Sequence, residues 1–159
     1  MANTKNSQLI AYIAKTHQAA SVTVLMKLSY LIDLVAIKKL GQTISEFEYR
    51  RYNFGPFDNR IYKVIESLVT EKVLGQNSDY SSMGSEYIVY SFNGENTEYS
   101  FEKLSAQETG LISDVVKSLR GYGAKTLTEI AYQTKPMLAL GATLGGDENL
   151  NAKIDLTVA

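Results

Sequence analysis

A chain of 159 residues with 16 Lys and Arg, 17 Asp and Glu and a net charge of -1 suits one domain, which at this size buries about 70% of its unfolded surface. The chain has no cysteine, which excludes a disulfide framework or a thiolate metal site and fits a reducing cytoplasm, while the balanced charge gives no overall attraction to nucleic acid. The longest apolar run, Leu25 to Leu40, is broken by Lys27, Asp33, Lys38 and Lys39, so no membrane span is expected, and the opening MANTKNSQLIAYIAK has no cationic stretch followed by an apolar one of signal length.

Leu9, Ile10, Ile13 and Ala14 recur at helical spacing and predict a first amphipathic helix over about 7–16, capped by Asn6 or Ser7. Ser21 is the expected cap of a second helix that runs to Leu40 and stops at Gly41. That helix is apolar on almost every side, the pattern of a central element. Residues 44–52 read as extended. Gly55, Pro56, Phe57 and Asp58 then match a helix start: Gly as cap, Pro in the first turn, an acid at the positive end. The third helix is expected from Phe57 to Leu74, with Phe57, Ile61, Val64, Ile65 and Leu68 as its buried stripe.

EYIVYSFNGENTEYSFE alternates on both sides of Asn93-Gly94 and predicts a β-hairpin turning there. SAQE at Ser105 to Glu108 is a capping box that opens a helix through about Arg120, and TLTE at Thr126 to Glu129 predicts a second box and a shorter helix. Pro136 resets the chain before MLALGA. Residues 141–159 read as a lightly packed tail, leaving 6–140 as the domain.

Marks of catalysis are sparse. His17, the one histidine, has no acidic partner at ligand or triad spacing and reads as a cation at a helix C-terminus. GATLGGDEN lacks the Gly-Lys-Ser/Thr ending of a phosphate loop. The expectation is therefore no catalytic residue, no metal and no cofactor. Asp33 and Ser29, four apart, share one face of the apolar second helix, and Asp33 needs a partner there. An arginine from the stretch YRRYNFGPFDNRIY, or the Tyr30 hydroxyl, is the expected one. In that stretch helix initiation accounts for Gly55, Pro56 and Asp58 but not for Arg50, Arg51, Tyr52 and Asn53. These four combine the residue types enriched at interface hot spots and are read as the candidate partner-binding set.

LMKLSYLID, with Lys27, Tyr30 and Asp33, then YRRYNFGPFDNRIY, with Tyr52, Gly55, Pro56 and Phe57, then TLTEIAYQTKPM follow one another in an order that resembles the antitoxin SocA-like domain, also called the Panacea domain and found in phage-associated proteins. The resemblance spans about 6–138. Tyr132 stands where the family usually has histidine, and Met137 where it has tryptophan. What the resemblance implies is an antitoxin that neutralises a cognate protein toxin by contact, with delivery to a cellular unfoldase–protease as one mode of action in the family.

The fold expected is mainly α with a small antiparallel β-hairpin, a compact single-domain helical bundle with a winged-helix-like N-terminal part. Three helices followed by a hairpin leave open a DNA-binding regulator. Against it, Arg60, Lys63 and Lys72 of the third helix are offset by Asp58, Glu66 and Glu71. A phage adaptor protein acting without a toxin is the third reading.

Overall fold

The computed structural model describes residues 2–158. In chain order they form α1 (Lys5–His17), α2 (Val22–Leu40), β1 (Arg50–Tyr52), β2 (Gly55–Phe57), α3 (Ile61–Thr70), β3 (Leu74–Tyr80), β4 (Glu86–Phe92), α4 (Ala106–Leu119), α5 (Ala124–Tyr132), α6 (Lys135–Ala139) and a closing 3-10 turn (Leu156–Val158). The result is the expected helix-rich α+β architecture, with two separate two-stranded antiparallel sheets, β1-β2 and β3-β4.

Helix α2 is the axis of the molecule because its sequence leaves it no wet face for three turns from Val24. Val24 through Leu34 are all buried, and the helix packs against α1, α3, α4, α5, β2 and β4. Leu25, Leu28 and Ile32 are fully enclosed, and side chains of this kind each favour folding by about 1.5–3 kcal/mol. The Ser21 hydroxyl accepts from Val24 N–H, and Gly41, at φ 81°, closes the other end with its N–H on Ile37 C=O; the left-handed conformation is one that glycine adopts without penalty. The capping box at α4 is formed, Ser105 and Glu108 each accepting from the other's backbone N–H.

Several boundaries depart from expectation. Helix α1 begins earlier, with the Thr4 hydroxyl as its cap. Helix α5 starts at Ala124, so Thr126 and Glu129 lie inside it; the Thr128 hydroxyl turns back to Ala124 C=O at 2.8 Å. The hairpin forms one strand upstream of its expected place: β4 pairs with β3, Leu74↔Phe92 to Tyr80↔Glu86, through a turn in which Gly84 N–H donates to Ser81 C=O. Asn93-Gly94 is a turn that leaves the sheet, and the Asn93 side chain bonds Lys72 C=O at 2.9 Å.

The main correction concerns Gly55-Pro56-Phe57, which is a strand and not the start of α3. The helix begins at Ile61, and Asp58 prepares it from outside by accepting from Arg60 N–H at 2.9 Å. Gly55, at φ 94°, carries the positive φ of a tight turn whose two central residues are Asn53 and Phe54. Pro56 is tolerated in a strand here for a specific reason. It faces Arg51, whose own N–H donates to Ala152 C=O and whose C=O accepts from Asn151 N–H. Arg51 thus turns its backbone away from β2, and the position opposite needs no N–H.

The segment after 141, read as a lightly packed tail, runs along β1. Besides these two bonds, Ile154 N–H donates to Tyr49 C=O at 2.9 Å, and the Ile154 side chain is buried.

Candidate partner-binding surface

Three side chains of α2 hold the β1-β2 hairpin and the segment that leads into it: Lys27 bonds to the hairpin, Ser29 and Asp33 to residues 44–49 before it. Asp33 is fully buried and accepts from Ile44 N–H (2.8 Å), Ser45 N–H (3.1 Å), the Ser45 hydroxyl (2.5 Å) and the Tyr49 hydroxyl (2.6 Å). The partner does come from the aromatic–arginine stretch, but it is Tyr49 and not an arginine; the Tyr30 hydroxyl instead pairs with Thr134 at 2.7 Å. Ser29 completes the arrangement, its hydroxyl 2.8 Å from that of Tyr49. Burial pushes the Asp33 carboxyl above its ordinary value, opposed by the hydroxyls of Ser45 and Tyr49. Burial, and then the Asp33 charge, raise the Tyr49 phenol.

Lys27, also buried, donates to Pro56 C=O at 3.0 Å and lies 5.5 Å from the centroid of the Phe57 ring. Burial lowers its pKa to about 8. The backbone geometry explains the pairing: Pro56 turns its C=O away from β1, and Lys27 supplies the donor that no neighbouring strand does. Gly55 packs just above, since a Cβ there would stand 3.4 Å from Lys27 Cε and 3.5 Å from the Tyr132 ring.

Arg51 is 0% exposed, so of the four candidate contact residues it is the one turned inward. Its guanidinium donates to the carbonyls of Tyr52 (3.1 Å), Thr143 (2.9 Å) and Gly146 (2.9 Å) and lies over the Tyr132 ring. Carbonyl dipoles and a ring face replace a carboxylate there. The Tyr132 hydroxyl donates to the carbonyls of Tyr52 and Asn53, at 3.3 and 3.2 Å, and so fixes the hairpin tip. Burial raises the pKa of that phenol.

On this base stands an exposed aromatic group. Phe54 at the tip is 72% exposed, Tyr62 on α3 56% and Tyr52 37%. Phe57 joins them, with its ring centroid 5.8 Å from that of Tyr52 and 5.6 Å from that of Tyr62. Asn53 is exposed beside them, its side chain making none of the hydrogen bonds found among the described residues. Arg50 flanks the group and donates to Asn151 C=O at 3.0 Å. Arg60 flanks it on the other side, held by Asp58 at 2.6 Å. Burial alone would raise the Asp58 carboxyl, but the Arg60 guanidinium and the N–H groups of Arg60 and Glu48 outweigh it and hold the pKa below its ordinary value. A cleft of about 280 Å³ opens between Arg50, Tyr52, Phe57 and Arg60.

Of the residues read from the sequence as partner-binding, Arg50, Tyr52 and Asn53 lie on this surface; Phe54 and Tyr62, which that reading did not include, are exposed beside them. Tyr62 lies off the stripe Ile61, Ile65 and Leu68 that α3 buries, a displacement legible from helical spacing. Phe54 became legible only once the turn was known. Among the described residues no group of three or more His, Asp or Glu is placed to hold a metal ion, and no helix is long and apolar enough to cross a membrane. The surface offers ring faces, ring edges and guanidinium donors, groups of the residue types enriched at protein interfaces.

No curated protein and no solved structure matches the chain. The family model of the antitoxin SocA-like, Panacea domain matches residues 25–136. That span contains Lys27, Asp33, Tyr49, the hairpin with its aromatic group, and Tyr132. The matched region runs from the first turn of α2 through α5 to the start of α6, about seven tenths of the chain, and the chain belongs to the antitoxin SocA-like, Panacea domain family.

Proposed function

We propose that the protein is an antitoxin that neutralises a cognate protein toxin by direct binding, without catalysing a reaction, and that the toxin docks on the face formed by Tyr52, Asn53, Phe54 and Tyr62 with Arg50 and Arg60 at its rim. The observation that carries this is the exposure of Phe54 at the tip of a hairpin whose base is pinned by Lys27, Arg51 and Tyr132. A rigid base lowers the ordering cost of binding, and large aromatics with arginine beside them supply most of the energy at protein interfaces. Arg51 belongs to the support of this face and not to the contact.

A duplex-binding role gains no support from the β3-β4 hairpin. Neither strand nor the turn between them contains Lys or Arg, while Asp79 and Glu86 are exposed there; phosphates would be repelled.

Co-expression with the product of the neighbouring gene tests the function. Growth rescued by the wild-type chain, with both proteins recovered together, supports it; a neighbour that is harmless alone, or toxic with no rescue, contradicts it. Rescue that fails in a host lacking its unfoldase–protease assigns the mode to delivery for degradation, and rescue that persists assigns it to blocking.

A further inference from the structure

The ends of the β3-β4 ladder fix which backbone groups of β4 point outward. Asn93 N–H donates to Val73 C=O and Ser81 N–H to Ser85 C=O, both at 2.8 Å. With the register Leu74↔Phe92 to Tyr80↔Glu86, the odd-numbered residues of β4 bond to β3 and the even-numbered ones turn their N–H and C=O away from it. Tyr90 has both outward groups satisfied: its C=O accepts from Ala20 N–H at 3.0 Å and its N–H donates to Ala20 C=O at 2.8 Å. Ile88 and Glu86 lie farther along the same edge, and no described residue bonds to their outward groups. The edge is a slot for a strand, occupied at Ala20 and vacated where the chain turns into α2.

Beside this edge lies a groove of about 640 Å³, walled by β4, by Val22 at the start of α2 and by Arg120 and Tyr122 after α4. Tyr87, Ile88 and Tyr122 are large apolar side chains left exposed along it. Its lining includes Arg120 and His17 but no Asp or Glu. Arg120 donates to Thr16 C=O and forms no ion pair with any described residue. Burial, with the Arg120 charge second, lowers the pKa of His17, as expected beside a cation that has no counter-ion. Open backbone groups, apolar walls and one uncompensated guanidinium together specify an occupant: the backbone demands an extended chain, the walls apolar side chains, and Arg120 a carboxylate.

We propose that this groove receives a short extended segment of a partner protein, added as a strand to the outer edge of β4 at Ile88 and carrying an Asp or Glu side chain to Arg120. Backbone bonds would supply affinity and the carboxylate would set the register. The inference stands apart from the toxin-binding face, none of whose residues lines this groove.

A random library of short displayed peptides tests it, selected on the full-length protein and counter-selected on Ile88→Pro. Proline removes the outward N–H at 88 and leaves the inward bonds of Tyr87 and Val89 in place. The expected winners alternate apolar residues around one acidic position. By fluorescence anisotropy a synthetic winner should bind Arg120→Gln about tenfold more weakly than wild type. Replacing its acid by the amide should cause a similar loss on wild type and little further loss on Arg120→Gln. The same peptide N-methylated at alternate residues should not bind, which tests strand addition without altering the protein. Winners without an acid, winners indifferent to Arg120→Gln or to N-methylation, or no winner surviving the counter-selection would overturn the proposal.

Discussion

Replacing Lys27 by methionine isolates the energetic cost of the ammonium that supports the hairpin. The group is 1% exposed, and burial takes its pKa from 10.5 to about 8. Between those two values the unfolded chain holds a proton that the folded one has released, so stability rises with pH across the window. Below about pH 8 the full penalty of burying the charge is present, and the shift corresponds to about 3 kcal/mol. Lys27→Met keeps most of the stem volume and removes that penalty, while leaving Pro56 C=O without its donor at a cost of about 1 kcal/mol. The variant should therefore be more stable than wild type by about 2 kcal/mol at neutral pH. Its advantage should shrink by about 2–3 kcal/mol on going to about pH 10, as wild type gains stability and the variant does not. Urea unfolding of both proteins across this range measures the difference directly, with other titrating groups common to the two. Parallel pH curves would refute the reasoning, because they would mean that Lys27 titrates alike in the folded and unfolded states.

Asp33→Ala leaves four buried donors without an acceptor and should cost about 3–5 kcal/mol in urea unfolding, against about 1.5–3 kcal/mol for Tyr49→Phe. Gly55→Ala places a side chain at φ 94° and should cost about 1–2 kcal/mol, read as a lower midpoint with unchanged m-value. Arg51→Ala removes the clamp on the carbonyls of Thr143 and Gly146. Amide exchange should rise at Asn151 and Ile154, whose N–H groups bond to the carbonyls of Arg51 and Tyr49, before it rises in α2.

Local signals located α2 and α4 because each carried its own start or stop. Ser21 and Gly41 bound α2, and Ser105 with Glu108 opens α4. Gly-Pro-Phe-Asp misled because the same residues suit a helix start and a tight hairpin. What decides between them is remote: residues 151 and 152 bond to the backbone of Arg51 and turn it away from Pro56, and Lys27 receives the Pro56 carbonyl. Neither contact has a local sequence mark. The burial of Arg51 was hidden for the same reason, since two of its three acceptors are backbone carbonyls about ninety residues later, and carbonyls carry no residue-type signal. The chain turns at Asn93-Gly94, but the hairpin expected there does not form; β3, whose residues past Leu74 are exposed and polar, showed too little alternation to be recognised as the strand that β4 pairs with.

The central claim is that the aromatic tip contacts the toxin while the residues beneath it only support it. Calorimetric titration of the purified cognate toxin into wild type, Phe54→Ala, Tyr62→Ala and the double variant tests this most directly, with melting curves run on the same samples. Both side chains are more than half exposed, so melting temperatures should stay near the wild-type value while each replacement weakens binding by about 1–3 kcal/mol. Unchanged toxin affinity in the double variant, with the protein fully folded, would contradict the account.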